Sequence, residues 1–283
     1  MSGLFDSEPA GQAPATPAST QATSPTAPLP PLAERLRPQR LHDVVGQQHL
    51  IGPGRPLQRA FEAGRLHSFI LWGPPGVGKT TLARLAAQVT NSQFLVLSAV
   101  SAGIKDIRAV IDAAQTLRGA QGRGTVVFID EIHAFSKPQQ DALLPHMESG
   151  LFTVIGATTE NPSFEVNAAL LSRAQVYVLK SLTNDELKQL VTRACAHALP
   201  TIALSDDAIT TIVTYADGDA RRLINLVEQL QQTVRTQGIT TVDRAQIENT
   251  LNLNTRRFDK GGDQFYDQIS ALHKSVRGSH PDA

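Results

Sequence analysis

The strongest constraint on this chain is the order of three segments between residues 69 and 88. A short apolar run, Phe69, Ile70, Leu71 and Trp72, leads into G-P-P-G-V-G-K-T at 73–80, and T-L-A-R-L-A-A-Q follows at 81–88. The apolar run reads as a fully buried strand, and the stretch after the glycines favours a helix. Gly73, Gly76 and Gly78 let the backbone turn tightly between them, so that successive N–H groups point inward at an anion. The helix N-terminus adds a favourable dipole. Strand, glycine loop and helix in this order form a phosphate cradle. Lys79 brings a point charge to the β- and γ-phosphates of a nucleotide, and Thr80 offers a hydroxyl to magnesium. Pro74, Pro75, Val77 and Thr81 complete the predicted nucleotide-binding stretch. A Gly-Pro-rich segment can also be a plain structural turn, but the strand before, the helix after and the G-K-T ending all fit the cradle.

About fifty residues later, V-V-F-I-D-E occupies 126–131. Four apolar residues in a row fit a central parallel strand. Asp130 then falls at its C-terminal end, where open α/β sheets bind ligands. Asp130 is predicted to belong to a magnesium shell and Glu131 to polarise an attacking water. Asp130 could instead cap a helix. With the cradle upstream, the expected cofactors are ATP and Mg2+.

At 283 residues and 41% apolar content the chain can bury a full core and hold more than one domain. Residues 1–30 differ from the rest: Pro, Ala, Thr and Ser dominate, and no Lys or Arg occurs. That composition predicts a disordered tail, with neither the basic nor the apolar region of a secretory signal. Its opening residues, Ser2-Gly3-Leu4-Phe5-Asp6, loosely resemble a peptide for a sliding clamp. No apolar run approaches a membrane span, and the expected localisation is cytoplasmic, associated with the nucleoid. Cys195 is the single cysteine, which excludes a disulfide framework and a cysteine-based zinc site. The eight histidines show no ligand spacing. Formal net charge is zero, so contact with nucleic acid requires a local basic patch.

Along the chain, strands are expected at 69–72, 94–98, 126–129, 152–157 and 175–179. Helices are expected at 104–117, 137–149 and 167–172. This alternation predicts an α/β parallel sheet with helices on both faces, spanning 31–180. From 181 to 252 helical periods take over, at 185–197, 206–215, 220–236 and 244–251, and predict a small all-helical second domain. Beyond Asn252 the sequence is polar and reads as irregular, with a further helix at 266–276.

A sheet domain carrying both phosphate-loop and D-E elements, followed by a helical lid, resembles the AAA+ arrangement. L-A-E-R-L-R-P-Q-R-L-H-D-V-V-G-Q-Q-H-L at 32–50 resembles the segment that clamp-loader relatives place over the adenine, which implicates Val45 and Gly46. I-G-A-T-T-E-N-P-S-F-E-V-N-A-A-L-L-S-R at 155–173 resembles a sensor 1 followed by an arginine finger, and G-D-A-R-R at 218–222 resembles a sensor 2. The runs D-E-I-H-A-F-S-K-P-Q-Q-D-A-L-L-P-H-M-E-S-G and G-A-T-T-E-N-P-S-F-E-V-N are similar to the RarA/MgsA family, whose eukaryotic member is the Werner-helicase-interacting ATPase. This resemblance covers roughly residue 31 onward.

It implies a DNA-dependent, clamp-loader-like ATPase of replication-fork maintenance and recombination. Such a protein acts on DNA ends, gaps or forks and works with single-strand-binding protein as a homo-oligomer. By the same resemblance Thr159 contacts the γ-phosphate, Arg221 reaches it from the lid, and Arg173 acts on the ATP of a neighbouring copy. Each has a plainer alternative: a strand-end threonine, a solvated helix charge, and an arginine neutralising a helix C-terminus. Lys105 and Arg108 open a helix that faces DNA in clamp-loader relatives, with Arg123 a weaker candidate. The family continues past position 283 with a helical domain that carries tetramerisation, so 253–283 is expected to be its beginning. A Holliday-junction branch-migration motor, a nucleotide-switched adaptor with little turnover, and a small-molecule kinase are the competing readings.

Overall fold

The computed structural model describes residues 29–258, with side chains through Leu251. The chain divides after Pro30, and every element below belongs to the unit that begins at Pro31. The expected tail, its clamp-like peptide and the helix at 266–276 lie outside the described residues.

A strap at the start of the unit carries three short helices, α1 (Leu32–Arg35), α2 (Gln48–Ile51) and α3 (Pro56–Glu62). The sheet that follows has five strands: β1 (Phe69–Trp72), β2 (Gln93–Ser98), β3 (Thr125–Asp130), β4 (Thr153–Thr158) and β5 (Gln175–Val178). All pair in parallel, in the order β2-β3-β4-β1-β5, with Phe69 in register with Ile155 on one side and Gln175 on the other. Parallel neighbours need long crossovers, supplied by α4 (Lys79–Val89), α5 (Ile104–Gln121), α6 (Lys137–Asp141), α7 (Leu144–Glu148), α8 (Pro162–Glu165) and α9 (Ala168–Leu171).

The unbroken apolar runs of β1 and β3 are explained by helices on both faces. Phe69 and Leu71 join Phe128 against Leu82 and Leu85 of α4 and Leu57 and Phe61 of α3. Ile70, Val127 and Ile129 point the other way, into a core with Ile107 and Ile111 of α5 and Leu170 of α9. Alternate side chains of one strand thus serve two cores, each fully buried one contributing about 1.5–3 kcal/mol.

The single helix expected over 137–149 is two, broken at Ala142 and Leu143. Pro145 is responsible: it has no N–H, and its ring would clash with the carbonyl of Asp141, where α6 ends. Leu143 turns fully inward at the break.

Beyond β5 come α10 (Asn184–Ala198), β6 (Ala203–Leu204), α11 (Asp206–Ala216), α12 (Ala220–Gln237), β7 (Thr241–Val242) and α13 (Arg244–Phe258). This region is not all-helical as expected, because β6 and β7 form a two-residue parallel pair that fastens two connections together. Nor does the last helix stop at 251. It runs to Phe258, since the polar stretch after Leu251 holds no Gly or Pro before Gly261. Each lid helix has a definite start. Thr183 and Glu186 form a capping box on α10, Ser205 caps α11 and Asp219 caps α12.

The sequence assigned the strap to the sheet domain, but α1 buries Leu32 completely in the lid core, beside Leu223 and Leu226. The Leu32 N–H donates to Glu228 Oε1 at 2.7 Å. Farther along, Gln47 is buried in left-handed backbone (φ 59°). Its Nε2 donates to the Lys180 carbonyl at 2.7 Å, and its Oε1 accepts the Lys180 N–H at 3.0 Å.

Candidate functional site

The glycine loop turns as its sequence requires. Gly76 and Gly78 have φ of 69° and 101°, values that a residue with a Cβ rarely adopts. Nothing lies within 4 Å of the place a Cβ on Gly78 would take, so the loop backbone faces open space there. That space is a cavity of about 260 Å³ between sheet and lid. Pro75, Gly76, Val77, Gly78, Lys79, Thr80 and Thr81 line it from the loop, Asp130 and Glu131 from the end of β3, Val45 from the strap and Arg221 from α12.

Other predicted residues lie just behind the cavity. Gly73 packs on Leu179, Pro74 contributes its carbonyl to Lys79, and Gly46 presses on Leu182, where a Cβ would fall 2.5 Å from Cδ2.

Lys79 is buried, and its Nζ donates to the carbonyls of Gly73 at 2.6 Å and Pro74 at 3.0 Å. Burial pushes its pKa below the usual lysine range, while the Glu131 and Asp130 carboxylates pull it back up. A desolvated cation folded onto its own loop suits an anionic ligand that replaces those carbonyls. Arg37 and Arg193, both lining the cavity, add positive charge; Arg193 also ties the lid to the strap through the Asp43 carbonyl at 2.6 Å.

The donor set also suits magnesium carried by a nucleotide. Thr80 and Asp130 face one cavity as a hydroxyl and a carboxylate, and no group of three His, Cys, Asp or Glu built for a metal ion occurs among the described residues. A cation held by one or two protein oxygens, phosphates and water needs no more.

The remaining predicted residues are placed differently. Thr159 does not satisfy its own backbone: its N–H and hydroxyl reach Glu131 Oε2 at 3.3 and 3.4 Å. Arg173 is exposed at the end of α9 and does not line the cavity. It pairs with Glu148, donating from Nε at 2.7 Å and contacting it through Nη2, and Nη1 donates to the Ala169 carbonyl at 2.8 Å. Within one copy these contacts are the ones expected of an arginine beside a helix C-terminus. Lys105 and Arg108 are exposed in the first turns of α5, with no ion pair among the described residues, whereas Arg123 donates to the Asn91 carbonyl at 3.2 Å.

Besides the lining arginines Arg37 and Arg193, two residues beside the cavity carried no role in the sequence reading. Asp219 caps α12 through the N–H groups of Arg221 and Arg222, and its carboxylate rests on Gly76, where a Cβ would fall 1.7 Å from Oδ1. The Ala220 N–H donates to the Gly76 carbonyl at 3.2 Å, so the lid is bonded to the glycine loop. His133 lies behind Glu131, in contact with its carboxylate. The G-D pair ahead of Arg221 signalled a helix start, but nothing in the order of residues brings it to position 76.

Comparison with known proteins bears on the fold that carries this site. Residues 69–182 fit the family model described as ATPase family associated with various cellular activities (AAA), and 198–277 fit that of an AAA C-terminal domain. Replication-associated recombination protein A of Coxiella burnetii is 51% identical over 258 residues, covering 89% of this chain and 58% of that protein. Its Escherichia coli K12 counterpart is 50% identical over 259 residues, with the same coverage. The chain belongs to the RarA/MgsA family of AAA+ proteins. ATPase WRNIP1 of Dictyostelium discoideum, 44% identical over 275 residues, shares 89% of this chain and 31% of its own length. In fold this chain is similar to the Thermotoga maritima RuvB Holliday junction branch migration motor, with a TM-score of 0.64 and 28% identity over 77% of this chain and 72% of that one. The chain spans a little over half the length of the bacterial RarA relatives.

Proposed function

We propose that this chain is a DNA-dependent, clamp-loader-like AAA+ ATPase of replication-fork maintenance and recombination, acting on DNA ends, gaps or forks. The observation that carries the reading is one cavity in which Lys79, Thr80, Asp130, Glu131 and Arg221 converge between sheet and lid. Bound Mg·ATP supplies the reactive γ-phosphoryl group. The chain's own residues do the positioning. Backbone N–H groups of 76–80 cradle the phosphates, and Lys79 turns from the Gly73 and Pro74 carbonyls toward them. Thr80 and Asp130 hold the metal. Glu131 orients the attacking water, with Thr159 setting its carboxylate. Arg221 reports the γ-phosphate to the lid through α12, and Val45 and Gly46 wall the adenine.

Arg173 acts on a neighbouring copy in a head-to-tail homo-oligomer. Its exposure and its absence from the lining of its own cavity support that role. Lys105 and Arg108 meet DNA phosphates. Residues 31–180 form the ATPase domain, 181–252 the lid and 253–283 the start of a further helical region. Single-strand-binding protein is the expected partner, in the cytoplasm at the nucleoid. The likeness to RuvB keeps a branch-migration motor as a second reading.

Steady-state ATP hydrolysis by the chain alone, and with forked, gapped or four-way-junction DNA, tests both. Stimulation by forks and gaps supports the first reading, and stimulation by junctions alone supports the second. Turnover insensitive to every DNA refutes both.

A further inference from the structure

His133 contacts two groups through one ring nitrogen. Its Nδ1 is 2.9 Å from Thr158 Oγ1 and 3.3 Å from Glu131 Oε2. Thr158 is fully buried at the end of β4, and its hydroxyl donates to the Glu160 carbonyl at 3.2 Å while accepting the Glu160 N–H at 3.0 Å. The single hydroxyl hydrogen is thereby used, so Oγ1 meets the imidazole as an acceptor. The Glu131 carboxylate oxygen is an acceptor too. An Nδ1–H suits both neighbours: it donates to Thr158 Oγ1, and its positive edge attracts the Glu131 carboxylate, whose Oε2 lies beside it without a directed hydrogen bond.

Glu131 has need of an outside guide. It sits at φ 51° and ψ 50°, just past the end of β3, so the pleat of the strand no longer sets its direction. The contacts to Oε2 from His133 and from the Thr159 N–H and hydroxyl lie between 3.3 and 3.4 Å. Each is longer than a strong hydrogen bond, so together they aim the carboxylate without locking it. Oε1 has no hydrogen bond among the described residues, and Glu131 lines the cavity while His133 does not.

We infer that His133 is a positioning residue for Glu131: anchored on the buried Thr158 hydroxyl, its Nδ1–H edge attracts Oε2 toward Thr159 and leaves Oε1 to receive water. This rests on the proposed role of Glu131 in ATP hydrolysis.

His133→Ala is expected to lower kcat about tenfold or more at unchanged KM for ATP, since small misplacements of a reacting group cost up to about 10²-fold. His133→Asn, whose amide nitrogen takes the place of Nδ1, recovers most of that loss. His133→Gln, whose nitrogen extends toward the place of Nε2, does not. A His133→Ala chain with wild-type kcat, or Asn and Gln recovering alike, overturns the inference while the ATPase reading stands. A wild-type chain that hydrolyses no ATP with any DNA overturns both. Should the Ala variant not fold, nitrogen-15 spectra of the wild-type ring decide. Hydrogen on Nδ1, with shifts that move in Glu131→Gln, supports the contact; an Nε2–H tautomer, or shifts indifferent to that substitution, refutes it.

Discussion

Gln47 and Lys180 are paired as two strands would be, the side-chain amide of one exchanging both hydrogen bonds with the backbone of the other at 2.7 and 3.0 Å. Lys180 follows the last sheet strand and precedes the lid, so this amide clamps the joint between the two layers. Gln47→Ala leaves a buried donor and acceptor unmet, at about 1–3 kcal/mol, which lowers Tm by roughly 5 °C in a fold of this size. Thermal melts of Gln47→Ala and Gln47→Glu check this. The glutamate still accepts the Lys180 N–H but cannot donate, and it should melt in between. A Gln47→Ala melt within a degree of wild type removes the clamp.

Lys79 carries a stability cost at neutral pH. Its pKa is lowered by burial, so between that value and the usual lysine range the unfolded chain binds the proton more strongly, and stability rises with pH across that window. Below the window the charged, desolvated ammonium is a burden that phosphate relieves. Lys79→Met should therefore melt at or above wild type without ligand, and gain nothing from Mg·ATP. Scanning fluorimetry measures both. A variant that keeps the nucleotide-dependent rise removes Lys79 from the phosphate site.

The contact of Asp219 with Gly76 predicts coupling between residues 143 positions apart. Asp219→Ala loses a helix cap, about 1 kcal/mol. Gly76→Ala strains a left-handed residue and drives a methyl into the carboxylate. With the carboxylate gone, the second substitution should cost less, giving a coupling of about 0.5–3 kcal/mol in a denaturant double-mutant cycle. Strict additivity would mean the lid does not rest on the loop.

Arg173→Ala should bind ATP normally and lose turnover by on the order of 10³ or more. Mixed with Glu131→Gln, inactive by itself, it should regain part of the rate, because one protomer's arginine then serves the other's intact carboxylate. Complete silence of the mixture across all ratios would count against a shared site.

Lys105 and Arg108, exposed and without ion pairs among the described residues, should each release about one counterion on binding duplex DNA. Changing both to alanine should flatten the log–log salt slope by up to about 1.8, measured by fluorescence anisotropy. An unaltered slope places the duplex elsewhere.

The glycine turn, the D-E strand end and the strand–helix alternation were legible because each is local: a few neighbouring residues determine the turn, the strand or the cap. The proline that splits 137–149 was also there to be seen, since Pro145 forbids a continuous helix through Asp141. What escaped reading is non-local. Nothing near Asp219 announces Gly76, and nothing near Gln47 announces Lys180. His133 stood inside a quoted motif, but its meaning depends on Thr158, delivered by a neighbouring strand.

The burial of Leu32 against Glu228 and its neighbours has a consequence for synthesis. Nearly two hundred codons separate the two partners, so a nascent chain has made the glycine loop and every strand of the large sheet before Glu228 is available to α1. The lid wall of the cavity thus depends on residues near both ends of the described chain, and any fusion or truncation that reaches Leu32 should be registered in the stability of a helical layer most of the chain away.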